Sequence, residues 1–199
     1  AWYMNIPATA ADKITVQGQR RPGHATLLSY ATSKDGVTWD KPRTLVDTPY
    51  DDRHPAITEL SDGTLVCTLF TYPASNTDSE AIDPAKGHRI GVVRSFDGGK
   101  TWEQEPHRVP GFLMDATDGP IVEMPDGSLL LAGEGKEKSG RFAVGIFSSS
   151  DRGANWQRLA VIRADHDQYE PSMVRLKSGE MVMISRPEGD IAWSTDDGR

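Results

Sequence analysis

The sequence predicts an all-β fold built from a repeated antiparallel unit, on three observations. One turn phrase recurs four times, a hairpin phrase recurs three times in step with it, and helical apolar periodicity is absent throughout. The turn phrase reads Ser95-Phe96-Asp97-Gly98-Gly99-Lys100-Thr101-Trp102 in full. It returns with one substitution at Ser149 to Trp156, one residue shorter at Ser33 to Trp39, and incomplete at Ser194 to Gly198. Its chemistry is that of a rigid turn: hydroxyl and carboxylate accept backbone N–H bonds, glycine allows positive φ, and tryptophan anchors the loop in apolar packing.

The hairpin phrase opens at Pro55, Pro120 and Pro171 and turns at Gly63, Gly127 and Gly179. Each copy is a strand, a tight glycine turn and a second apolar strand. A loop of varying length follows, then a third strand (His88 to Arg94, Arg141 to Phe147, Asp190 to Trp193), the turn phrase and a fourth strand. Four strands per unit, with the prolines 65 and then 51 residues apart, is the period of a β-propeller blade. A small β-sandwich also gives short strands with turn signals, but not two phrases in phase. The expected division is a blade remnant over 1–50, blades over 51–114 and 115–166, and a truncated blade over 167–199. Ala1 to Asn5 read as the tail of a second strand. The 199 residues open without Met and stop inside a repeat, so the expectation is a piece of a longer ring whose other blades close the fold.

The net charge of −7, with no basic run, excludes an electrostatic footprint for nucleic acid or an anionic membrane. No stretch is apolar enough to span a bilayer, and one cysteine, Cys67, rules out an internal disulfide. The five histidines (His24, His54, His88, His107, His166) lack ligand spacing and the acidic loops lack EF-hand spacing, so neither metal nor cofactor is expected.

Antiparallel order gathers the start of each first strand, the end of each second strand and the following loop at one rim, with the turn phrases at the other end. That rim collects Asp51, Asp52, Arg53 and His54, then Asp115, Asp118 and Glu134, then Tyr169, Glu170 and Arg186, with the loop Pro73 to Gly87. Asp35, Asp97, Asp151 and Asp196 belong to the far-face turns. Glu170 opens a hairpin and Arg186 closes it 16 residues later, which makes them neighbours. They can form a plain ion pair. They can instead divide labour, the guanidinium clamping a substrate carboxylate and Glu170 acting as a base.

The turn phrases, which match the Asp box, and the hairpin Glu170 to Arg186 together resemble the sialidase (neuraminidase) superfamily, six-bladed propellers, over essentially the whole chain. The resemblance implies an exo-acting glycoside hydrolase that removes a terminal acidic sugar from glycans with retention. By it, Glu170 polarises a tyrosine nucleophile and Arg186 is one of three arginines holding the sialic acid carboxylate. The nucleophile and third arginine are expected beyond Arg199, and Tyr169 is a packing residue. An uncharged nucleophile suits a substrate whose anomeric carbon bears a carboxylate. Asp52-Arg53-His54-Pro55 resembles the family's Arg-Ile-Pro opening, with His54 in place of Ile. The family carries about one blade more between that arginine and the glutamate hairpin, so Arg53 is either the first arginine of the triad or an ordinary rim arginine. The acid/base aspartate falls at Asp78 or Asp83 in the first case and at Asp12 in the second. Each is equally a solvated loop aspartate. Access to glycans implies a secreted, periplasmic or cell-surface protein. A non-catalytic propeller binding glycan or protein, and a carbohydrate-active propeller acting on uronic-acid glycans, remain alternatives on the same rim.

Overall fold

The computed structural model describes residues 13–19, 27–72, 89–112 and 115–199. Fifteen strands and no helix are found among them, arranged as four antiparallel sheets in chain order. The first sheet joins β1 (Lys13–Gln19), β2 (Leu27–Ser33) and β3 (Arg43–Val46). The second runs β4 (Asp51–Glu59), β5 (Leu65–Tyr72), β6 (Arg89–Ser95) and β7 (His107–Arg108). In the third, β8 (Asp115–Ala116) and β9 (Val122–Glu123) share the edge of β10 (Leu129–Lys136), followed by β11 (Phe142–Ser149) and β12 (Gln157–Ile162). The fourth is β13 (Tyr169–Arg175), β14 (Met181–Arg186) and β15 (Asp190–Ser194). Each of the last three sheets carries one copy of the hairpin phrase, followed by its turn phrase. The segment Ala1 to Asn5 lies outside the described residues.

The hairpin turn is the same object three times. Leu60 N donates to Thr64 O at 2.8 Å and Gly63 N to Leu60 O at 2.9 Å, and the bonds recur at Met124/Ser128/Gly127 and Leu176/Glu180/Gly179. Gly63, Gly127 and Gly179 take φ of 84°, 81° and 101°, the left-handed region that a side chain resists.

The turn phrase also repeats as chemistry. In the second sheet Ser95 Oγ donates to Asp97 Oδ1 at 2.9 Å, and the same oxygen accepts the amides of Lys100 and Thr101 at 3.0 and 2.9 Å. These donors favour the carboxylate, and Asp35, Asp97 and Asp151 are each held at about 2.

Three apolar layers lie between successive sheets. Leu28, Tyr30 and Leu45 meet Ile57, Cys67 and Val93; Val66, Ile90 and Val92 meet Leu129, Leu131 and Phe147; Leu130, Ala132 and Ile146 meet Met173, Met181 and Met183. Trp102 and Trp156 of the turn phrases pack backward. Trp102 joins the first layer, its ring edge-on to Tyr30 at 5.9 Å, and Trp156 joins the second. β5 and β10 are consequently buried on both faces, whereas β13 and β14 alternate. The outer face of the fourth sheet leaves Val174, Ile184, Ile191 and Trp193 exposed.

The first strand of the third unit departs from the expected continuous strand. It breaks between β8 and β9, where Thr117 Oγ1 bonds Ala132 O at 2.8 Å. Pro120, lacking an N–H, follows Gly119, and a Cβ on Gly119 would stand 3.0 Å from Pro171 O.

Phe147 is fully buried between the second and third sheets. Phe147→Ala is expected to lower unfolding stability by about 3–5 kcal/mol, read from denaturant unfolding of the complete protein. A loss within the noise would mean that layer does not carry the packing described. The three turn aspartates, lowered below their ordinary value of 3.8, stabilise the fold above that value. This contribution is lost as pH falls through about 2, so Asp97→Ala should flatten the acid limb of a melting curve taken against pH.

Candidate active site

The rim is built by register. Phe70, Glu134 and Arg186 are each the seventh residue after their turn glycine, and each lies within the last three residues of its second strand. They pair with Arg53, Ala116 and Tyr169 of the first strands. Just past Arg53 and Tyr169 the ladder bulges, at His54 before Pro55 and at Glu170 before Pro171. Both bulge residues have positive φ, 47° and 49°, although neither is glycine. Such a conformation costs roughly 1–3 kcal/mol and concentrates where side chains must be aimed.

Glu170 and Arg186 meet as the sequence places them. Arg186 Nε and Nη2 fork onto the two oxygens of Glu170, the second bond at 2.6 Å. Both side chains remain partly exposed. The fork and the positive charge of Arg186 hold the Glu170 carboxyl below its ordinary range, so it is ionised at neutral pH. Glu134 reaches across from the third sheet and accepts the backbone N–H of Glu170. Burial, reinforced by the charges of Asp118 and Glu170, pushes the Glu134 carboxyl up to about 7, against that hydrogen bond and Arg186.

His54 contacts Asp118 through Nδ1, joining the second sheet to the third, and its ring stands edge-on to Phe70 at 4.8 Å. The bond to Asp118 raises the His54 pKa; burial opposes it, the charges of Asp118 and Glu170 add to it, and Arg53 subtracts. His54, Asp118, Glu134, Glu170 and Arg186 therefore form one cluster carried by three sheets.

The other rim residues separate from it. Arg53 lies one residue from His54, but its guanidinium is held by Asp51 at 2.7 and 2.5 Å and covers the Tyr72 ring at 4.7 Å. Asp52 and Asp115 are fully buried. Asp52 accepts from the amide and hydroxyl of Thr48 at 2.9 and 2.6 Å, and burial raises its pKa. Asp115 is pushed up to about 7 by burial, with Arg89 4.0 Å away opposing. Tyr169 packs on Phe142 and donates to Asp167 at 3.1 Å, as a packing residue should. Asp78, Asp83 and Asp12 lie outside the described residues. Sequence reasoning collected His54, Asp118 and Glu134 at the rim without roles, His54 also as a departure from the family's Arg-Ile-Pro opening; the shared position of His54 and Glu170 before the hairpin proline was the available signal.

A BNR repeat-like domain model matches residues 18–199. The chain belongs to that family. No curated protein matches it by sequence. Several solved structures share its fold. A protein of unknown function from Dyadobacter fermentans superposes with a TM-score of 0.82 at 22% identity, over 100% of this chain and 66% of that one. A Hadza microbial sialidase gives 0.82 at 17%, over 99% and 44%. A Trypanosoma rangeli sialidase in complex with sialic acid gives 0.73 at 15%, over 98% and 36%. An endo-arabinase from Bacteroides thetaiotaomicron gives 0.69 at 14%, over 99% and 76%. The chain thus spans between about a third and two thirds of the first three. The Asp-box repeat character read from the sequence is upheld by the family model, and the fold is shared with sialidases and an endo-arabinase.

In this BNR domain Glu134 carries a folded-state pKa of about 7 against an ordinary 4.5, so its ionisation weakens the fold as pH rises between those values. Glu134→Gln keeps an acceptor for the Glu170 amide and removes the charge. The melting temperature of the variant relative to wild type should rise from pH 5 to pH 8; parallel profiles would contradict the placement.

Proposed function

We propose that the chain is part of an exo-sialidase-like glycoside hydrolase that releases terminal sialic acid, or a related acidic sugar, from glycans. The observation that carries this reading is the Glu170–Arg186 fork on a rim of a sialidase-like fold. The four sheets are then three and a half blades of a six-bladed ring, divided at 1–50, 51–114, 115–166 and 167–199. The exposed apolar face at Val174, Ile184, Ile191 and Trp193 is what the next blade covers.

In this mechanism Glu170, ionised at neutral pH, accepts the proton of a tyrosine nucleophile beyond residue 199, and the glycosyl–tyrosine intermediate is hydrolysed with retention. Arg186 and Arg53 receive the substrate carboxylate, Arg53 after exchanging Asp51 for substrate, and Asp78 is the acid/base residue, with Asp83 and Asp12 as its alternatives. No cofactor is required. Glycan access places the protein outside the cytoplasm: secreted, periplasmic or at the cell surface. Among the described residues no helix is long and apolar enough to cross a membrane.

The endo-arabinase neighbour supports a second reading, a carbohydrate-active propeller whose rim takes a different glycan, uronic-acid polymers included.

The complete protein should release fluorophore from a synthetic α-sialoside, and Glu170→Gln should abolish turnover with the fold intact. Retained kcat in the variant would remove Glu170 from the mechanism. Arg186→Lys should raise KM about tenfold or more, because a point charge cannot reproduce the fork; an unaltered KM would argue against carboxylate binding at that arginine. No release by a folded complete protein would favour the second reading.

A further inference from the structure

A guanidinium and an imidazole face the same pair of carboxylates on the rim, and they are not equally committed. Arg186 spends Nε and Nη2 on Glu170 and keeps Nη1. His54 spends Nδ1 on Asp118, rests its ring on Phe70, and keeps Nε2 on a half-exposed side chain. Asp118 and Glu170 bear on both of them. The strained, pre-proline position of His54 is the one that presents Glu170 two sheets away, at φ of 47° and 49°. A histidine fixed at one nitrogen by a carboxylate offers a donor of set direction at the other. Among the described residues of the cluster, Arg186 Nη1 and His54 Nε2 are the guanidinium and ring nitrogens that make no hydrogen bond.

The geometry points to His54 as a further substrate-binding residue, whose Nε2–H joins Arg186 Nη1 in seating an acidic group of the sugar. This rests on the acidic-glycan reading above and assigns the cluster a ligand contact that Arg186 alone does not supply. Asp118 acts as a positioning residue through Nδ1. The groups facing the imidazole are Asp118 and Glu170, which favour its charged form, and Arg53, which opposes it. The seat needs the imidazolium, so affinity is present below the His54 pKa and falls as pH rises through it.

The test is NMR of the histidine rings in the complete protein, with the His54 signals assigned by their loss in His54→Gln. Wild type is titrated with N-acetylneuraminate and separately with glucuronate. The His54 signals should move on saturation with at least one acid, and their titration midpoint should rise in its presence. Asp118→Asn should lower that midpoint. In kinetics, His54→Gln should raise KM about tenfold or more, with kcat far less affected. It should also lose the alkaline rise of KM that wild type shows. His54 signals indifferent to both acids, or an unchanged KM, would overturn the proposal. Its failure is separable from that of the mechanism. Turnover surviving in Glu170→Gln removes the Glu170 role while acid-shifted His54 signals keep the seat, and dead Glu170→Gln beside indifferent His54 signals does the reverse.

Discussion

The structure depends on a register constraint: a left-handed glycine fixes the hairpin turn, and seven residues later the second strand has reached the rim. Antiparallel pairing then leaves no freedom about which first-strand residue stands opposite, and a bulge before the proline decides which side chain is aimed outward. Three hairpins obeying this rule deliver Phe70, Glu134 and Arg186 to one edge. His54 and Glu170 follow from the same geometry one residue past the paired positions. The candidate site is thus a product of the repeat, with chemistry introduced by changing single residues at equivalent positions.

The same residue type serves opposite ends by opposite physics. Asp35, Asp97 and Asp151 of the turn phrase are solvent-exposed and surrounded by N–H donors, which hold them at about 2 and make them permanent anchors. Glu134 on the rim is withdrawn from water and sits among other carboxylates, which moves it to about 7. A face of fixed charges stabilises the turns, and a face of adjustable ones remains for chemistry. The tryptophans connect the two levels: by packing onto the preceding sheet, Trp102 and Trp156 couple each turn to its neighbour and hold successive rims in alignment.

Local signals made most of this legible. Glycine turns, Ser/Asp turn bonds and apolar strands are encoded within a dozen residues, so sheet order and the two-ended division were readable, as was the Glu170–Arg186 meeting inside one hairpin. The bonds from His54 to Asp118 and from Glu134 to the Glu170 amide span 64 and 36 positions between different sheets, and no periodicity encodes them. The break between β8 and β9 was hidden for a similar reason, since the approach of Gly119 to Pro171 belongs to the packing of two sheets. The guanidinium of Arg53 went to Asp51 and Tyr72, a choice made by side-chain neighbours at its own strand end.

The fold is shared with sialidases and an endo-arabinase, and the proposal of an acidic glycan rests on the rim cluster. The most direct measurement is a crystal structure of the complete protein soaked with an unsaturated sialic acid analogue. The account predicts its carboxylate against Arg186, at the rim that Phe70, Glu134 and Arg186 share. A ligand seated on the turn-phrase face, or on the rim with its carboxylate turned away from Arg186, would contradict it.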